Sequence, residues 1–256
     1  MKNLLLYVNP SKKFDDETEK LAKIQIHNSL DLGWKREDIL LVTNFPYEFM
    51  GVKAYQVPDS CFNTIHKQAT KVDTMVYLFE EGFIQDDLYW LHDFDAYQQY
   101  WITEEELGLD GFDIGLTDYG REPKWNGGST FLRQTTKDLY QEMKAGMYRE
   151  NEGRTERKPL NEEDILMLMF EKNFNNIRER AKRLNIGYNF GIKRMELCYQ
   201  KAGGVIKVLH FHPERVYQGW GRAMNIVSTR NNEVGHSIMP ERLLNIFKRY
   251  GYSPRN

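Results

Sequence analysis

Cysteine is scarce: Cys61 and Cys198 stand far apart in the chain and form no Cys-x-x-Cys pair. That excludes a zinc ribbon and a disulfide framework, and two idle thiols suit a reducing compartment. Long apolar runs are also missing. The run that follows Met1-Lys2-Asn3, from Leu4 to Val8, is too short for a secretion signal or a membrane span, so a cytoplasmic location is expected. Neither sign of charge dominates: 35 Lys and Arg against 37 Asp and Glu leave a net charge of −2. This excludes a protein that coats nucleic acid by charge alone. No Gly-x-Gly-x-x-Gly or Gly-x-x-x-x-Gly-Lys-Ser/Thr follows either of the first two strand candidates, so neither a dinucleotide fingerprint nor a P-loop is present. There is no internal repeat, low-complexity tract or clear linker, and the 256 residues read as a single domain. What is present is a globular balance, 41% hydrophobic and 28% charged, with aromatics at 13%.

The first half has the rhythm of an α/β protein. Leu4 to Val8 reads as a buried strand stopped by Asn9-Pro10-Ser11. Asp15-Asp16-Glu17 caps a helix whose inward face carries Leu21, Ile24, Asn28 and Leu32 and which Gly33 closes. Asp38 to Thr43 is a second strand, which makes a βαβ unit and a parallel pair with binding loops at its carboxyl ends. Residues 60–70 are expected to form a short helix, and Thr74-Met75-Val76-Tyr77-Leu78-Phe79 a third strand. Phe112 to Thr117 and Trp125 to Leu132 are further strand candidates, followed by a helix near 134–147 and an exposed loop over 148–159 around Gly153. Asn161 caps a helix with Glu162, Glu163 and Asp164 in its first turn. The basic stretch Lys172 to Arg194, which includes Lys193, has Ile177, Ala181 and Leu184 at helical spacing and reads as an amphipathic helix with a solvated outer face. Val205 to Pro213 is a late strand, and Pro240 to Tyr250 a terminal helix.

Chemistry gathers around Tyr89-Trp90-Leu91-His92-Asp93-Phe94-Asp95-Ala96. An apolar strand ends in two carboxylates, and residues two apart in extended chain point the same way, so Asp93 and Asp95 can face one cation. Hard ions such as Mg2+ or Mn2+ take carboxylate oxygens and keep positions open for phosphate. His210 and His212 share a face of the late strand, and either can complete a site of two carboxylates and one imidazole. Asn126-Gly127-Gly128 offers a carboxamide and backbone N–H groups to a sugar hydroxyl or phosphate. Glu163 and Asp164 can orient or deprotonate a hydroxyl.

In this order the segments resemble metal-dependent nucleotide-sugar glycosyltransferases of the GT-A fold. They are nearest to the retaining group that includes glycogenin and bacterial galactosyltransferases. The resemblance rests on Asp93-x-Asp95, Trp125-Asn126-Gly127-Gly128, Glu162-Glu163-Asp164, Leu209-His210-Phe211-His212 and Gly219-Trp220, and spans roughly residues 3–222. It implies a Rossmann-like, mainly parallel sheet flanked by helices with C-terminal helical additions, 1–118 being a nucleotide-binding half and 119–256 an acceptor-side half. It implies Mn2+ or Mg2+ on Asp93, Asp95 and His210 or His212, and a UDP- or GDP-linked sugar donor with its base near Tyr7 and Asn9. Its Asn-Gly-type turn, here Asn126, Gly127 and Gly128, touches the sugar. Transfer then goes to a glycan or another hydroxyl, a modified DNA base included, with retention at the anomeric centre; if the centre inverts, Asp164 or Glu163 is the base. The Lys-Pro-Trp usual after the His segment is absent, and Glu163-Asp164 stands where a Gln-Asp pair is common. Other readings of the same residues are a sugar-phosphate nucleotidyltransferase, a metal-dependent nuclease and a non-catalytic carbohydrate- or nucleic-acid-binding module.

Overall fold

A computed structural model describes residues 1–64, 67, 69–119, 124–152, 159–191, 201–202, 204–213 and 239–252. Gly153, Lys193, Arg194, Cys198, Gly219 and Trp220 lie outside them.

The chain opens as its apolar pattern dictates. Strand β1 (Lys2–Tyr7) leads to helix α1 (Asp16–Asp31), capped by the Asp15 carboxylate, which accepts the Thr18 N–H at 2.8 Å. Asp16, Glu17 and Glu19 in the first turn offset the helix dipole, and Gly33, at φ +96°, turns the chain out. Strand β2 (Ile39–Thr43) then lies parallel to β1, from Asn3 opposite Ile39 to Tyr7 opposite Thr43. Short strands β3 (Glu48–Phe49), β4 (Val52–Lys53) and β5 (Tyr55–Gln56) follow.

The next element corrects the sequence reading. Thr74 to Phe79 is not a strand but part of helix α2 (Ala69–Glu80). Val72, Met75, Val76 and Phe79 are buried at helical spacing, and tertiary burial of that stripe overrides the β-leaning composition. After it come β6 (Tyr89–His92), β7 (Ala96–Gln98), α3 (Glu104–Leu107), β8 (Ile114–Asp118) and β9 (Trp125–Leu132). Helix α4 (Lys137–Asn151) continues past the expected loop boundary at 148, with Met147 still in the core. Helix α5 (Glu162–Glu171) starts at a reciprocal cap: Asn161 Oδ1 accepts the Asp164 N–H at 3.0 Å, and Asp164 Oδ2 accepts the Asn161 N–H at 3.2 Å.

The basic stretch is also corrected. Asn173, Asn175 and Asn176 adopt positive φ, which breaks the helical path and leaves only α6 (Ile177–Arg180). The chain then extends as β10 (Ala181–Arg183) beside β8, and β11 (Phe190–Gly191) follows. Lys172, Arg178 and Arg183 are exposed as expected, but several of the described cations are also bound to partners. Arg180 bridges Asp113 at 2.6 Å and Asp138 at 2.7 Å, Arg183 pairs with Asp118, and Lys182 donates to the Gly108 carbonyl. Strand β12 (Val208–His210) and helix α7 (Glu241–Arg249) complete the described elements.

Seven strands form the central sheet in the order β10-β8-β9-β6-β1-β2-β5, and β9 runs antiparallel to both its neighbours. A three-stranded sheet, β11-β12-β7, stands beside it, and β3 pairs with β4. Leu4, Leu91, Leu116 and Leu132 face α2, α4 and α5, whereas Leu5, Leu41, Trp90 and Phe131 face the α1 side. A third apolar cluster of Tyr97, Phe211, Leu243 and Phe247 seats α7 against the small sheet and α1. Each such fully buried side chain contributes about 1.5–3 kcal/mol. This architecture brings the carboxyl ends of β1 and β6 and the amino end of β9 to one edge. No helix among the described residues is long and apolar enough to cross a membrane.

Candidate functional site

Strand β6 delivers the carboxylate pair, but a turn aligns it. The Ala96 N–H donates to the Asp93 carbonyl at 3.1 Å, so Asp93 to Ala96 fold as a tight turn between β6 and β7 rather than continuing in extended chain. The Asp93 N–H is held by the Gly128 carbonyl at 3.0 Å, and the Asp95 carbonyl accepts the Phe211 N–H at 2.9 Å. That second bond brings β12 to the turn. His210 Nε2 consequently lies 3.2 Å from Asp95 Oδ1. One donor atom each from Asp93, Asp95 and His210 falls within a 4.8 Å group. Two carboxylate oxygens and an imidazole nitrogen at that spacing fit a divalent ion such as Mn2+ or Mg2+. His212, the other candidate, is turned to Glu17 at 3.0 Å and stands outside this group.

Electrostatics reinforce the pairing. Burial opposes ionisation of Asp95, but the adjoining His210 and, further off, His212 outweigh it and hold its carboxyl down at about 2. Burial likewise opposes the charge on His210, yet Asp95, with help from Asp93, raises its pKa above the ordinary imidazole value.

A cleft of about 550 Å³ runs from Asp93 along the ends of β1 and α2. Tyr7, Asn9, Asp15, Thr70, Lys71 and Glu162 line it. The Tyr7 hydroxyl donates to Asp15 Oδ2 and accepts from Asn9 Nδ2, both at 2.8 Å, and the Tyr7 ring stacks on Phe14. Asn44 Oδ1 accepts the Asn9 N–H, and Asn44 Nδ2 donates to the Asn9 carbonyl, each at 2.9 Å, which fixes the loop after β1.

Two residues of this cleft were not singled out from the sequence. Lys71 Nζ stands 2.7 Å from Asp93 Oδ1 and 3.0 Å from the Gly127 carbonyl. Burial disfavours its charge, but Asp93 and Glu162 raise its pKa. A helical reading of residues 69–80 places Thr70, Lys71 and Thr74 on one face, the signal that a strand reading hides. Glu162 presents a buried Oε2 without a hydrogen-bond partner, and burial raises its pKa. In sequence it is indistinguishable from ordinary first-turn helix charge.

The other expected residues converge on the same edge with their polar atoms engaged. Glu163 Oε1 accepts from the Tyr119 hydroxyl at 2.7 Å and from the Gly127 N–H at 3.0 Å. Asp164 closes its own helix cap and faces Lys124 at 3.5 Å. Asn126 is buried at the start of β9, and its Oδ1 accepts the Gly128 N–H at 3.0 Å, so that carboxamide oxygen is spent within the strand where its pairing with β8 is irregular.

No family model matches the chain, and no curated protein sequence does. Solved structures do. The galactosyltransferase LgtC, in complex with donor and acceptor sugar analogs, superposes with a TM-score of 0.55 at 14% identity, covering 100% of this chain and 98% of that one. The glycosyltransferase GlyE of Streptococcus pneumoniae TIGR4 gives 0.53 at 14% identity, covering 100% of this chain and 66% of that one. A glycosyltransferase involved in glycosylation of the major capsid of PBCV-1 gives 0.51 at 12%, with 82% and 93% covered. At these identities the likeness is one of fold, and the fold is that of GT-A glycosyltransferases.

Proposed function

We propose that the chain is a metal-dependent glycosyltransferase that moves a hexosyl or pentosyl group from a UDP- or GDP-linked donor to an acceptor hydroxyl. The observation that carries this reading is the convergence of Asp93, Asp95 and His210 within 4.8 Å beside a cleft that Asp93, Tyr7 and Asn9 all line. In this reading a nucleoside diphosphate would occupy that cleft with its phosphates by Asp93 and its base by Tyr7 and Asn9, as the family resemblance implies.

Asp93, Asp95 and His210 would hold Mn2+ or Mg2+, which when bound neutralises charge developing on a departing diphosphate. Lys71, fixed between Asp93 and the Gly127 carbonyl, adds a second positive charge on the same side. Asn126, Gly127 and Gly128 lie at the start of β9, and the N–H and carbonyl groups of both glycines are taken by Glu163, Lys71, Asn126 and Asp93, so this segment braces the site rather than offering free backbone donors to a sugar. Glu163 and Asp164 are both committed to internal partners, which argues against either as the base for inversion and favours retention. Of the three acidic residues at this helix start, Glu162 is the one with an unpartnered buried oxygen lining the cleft, suited to a donor-sugar hydroxyl.

Calorimetric titration with UDP, GDP, ADP, CDP and TDP, in Mn2+ and then in EDTA, tests this reading. Tight binding of one nucleotide that needs both Mn2+ and Asp95, and is lost in Asp95→Ala, is the expected result. Metal-independent binding, or none, moves the non-catalytic binding module to the front.

A further inference from the structure

Asn189 sits outside every segment discussed for the site, yet its side chain reaches it. It lies between a single 3-10 turn (Ile186–Tyr188) and β11, and is 2% exposed. A carboxamide buried to that degree requires partners for both of its ends. Oδ1 lies 2.9 Å from His210 Nδ1, and Nδ2 lies 3.5 Å from the main-chain carbonyl of Asn126. The second contact fixes the orientation of the amide: only the NH2 end can face a carbonyl, so the oxygen faces the imidazole. An acceptor at Nδ1 requires the proton there, and Nε2 is left directed at Asp95, 3.2 Å away. The backbone reinforces this aim, because β11 pairs with β12 so that Gly191 stands opposite His210. The ring also occupies space that only glycine leaves: a Cβ on Gly128 would lie 2.6 Å from Nδ1.

We propose that Asn189 is a positioning residue of the metal site: it fixes the His210 tautomer and ring plane so that Nε2 is presented to the ion shared with Asp93 and Asp95. The inference rests on the metal-dependent reading given above and adds a residue to it. Metal-ligating imidazoles depend on a partner at their other nitrogen, whose loss lowers metal affinity by about 10–100-fold. Through its second contact Asn189 also ties His210 to the start of β9 at Asn126, so the metal ligand and that strand share one brace.

The test is Mn2+ affinity by EPR on the full chain, for wild type, Asn189→Leu, Asn189→Ser and Asn189→Asp, with 15N NMR of the His210 ring in the metal-free protein. Leu is near-isosteric and accepts no proton; Ser is small and serves if Asn189→Leu does not fold. Asp keeps the acceptor. The expected result is a loss of about 10–100-fold in the Leu and Ser variants, affinity restored in Asn189→Asp, and an Nδ1 resonance that shifts in Leu and Ser. Wild-type affinity and an unshifted ring in a folded Leu or Ser variant overturn the role of Asn189 alone. A wild type that binds no Mn2+ overturns the metal reading itself, and this role with it.

Discussion

A methyl group placed on Gly128 would stand 2.6 Å from Nδ1 of His210, nearer than packed atoms approach. The ring cannot step aside freely, because Asn189 and Asp95 hold its two nitrogens. Gly128→Ala is therefore expected to displace the imidazole from the carboxylate pair. Mn2+ affinity measured by EPR should fall by about 10-fold or more, with the circular dichroism spectrum unchanged. Unaltered affinity would show that the ring has another resting place.

Lys71 pairs with Asp93, one of the carboxylates proposed to hold the cation. Lys71→Met removes a positive charge 2.7 Å from Asp93 Oδ1, so Mn2+ should bind more tightly while sugar transfer or donor hydrolysis slows by roughly 10–100-fold. Calorimetry and turnover assays on the same preparation should move in opposite directions. If both weaken together, Lys71 supports the fold of the site rather than its charge.

The cap of α5 orients Glu162 and Glu163. Asn161→Ala removes the acceptor for the Asp164 N–H and should cost about 1 kcal/mol, seen as a fall in Tm of about 2–4 °C. The same variant should raise KM for the donor, because Glu163 holds the Gly127 N–H from that helix start. A lowered Tm with unchanged KM would separate the cap from the site.

His27 links pH to the packing of α7. Its Nδ1 lies 3.1 Å from the Tyr250 hydroxyl, and Asp31, Arg249 and Arg242 surround it. Burial lowers its pKa; Asp31 raises it, and Arg249 and Arg242 lower it further. The unfolded chain then binds its proton first as pH falls. The stability contribution is full above the unfolded value of about 6.5 and is lost as pH drops through the folded one. Urea midpoints should decline from pH 7 to pH 5 in wild type and less steeply in His27→Gln. Parallel curves would exclude His27 as the source.

Local pattern made much of this molecule legible. The βαβ opening, the Asn161 cap and the strand over Trp125 to Leu132 follow from apolar runs and from the residues that start and stop them. So does the meeting of Asp93 and Asp95 with one of His210 and His212, although a turn and not strand alternation unites the carboxylates and the structure, not the sequence, singles out His210. What escaped depends on distant contacts. Thr74 to Phe79 has strand-like composition and becomes helical because one stripe of it is buried. The stretch after Lys172 follows its asparagines out of helical geometry, and Arg180 reaches acidic partners more than 40 residues away in sequence. Lys71 falls between the short helix expected over 60–70 and the strand expected from Thr74, whereas it lies in the first turn of α2. Asn189 has nothing in its neighbourhood to mark it, since its partners are Asn126 and His210.

The tight turn from Asp93 to Ala96 leaves the large sheet at β6 and enters the small one at β7. Asp93 stands at the rim of the first sheet, whereas Asp95 and His210 belong to the second. A cation gripped by all three would thus work as a rivet through two plates otherwise joined at that edge by a short hinge. Filling the site would stiffen the molecule along that seam, and protease resistance of the small sheet and α7 would report its occupancy.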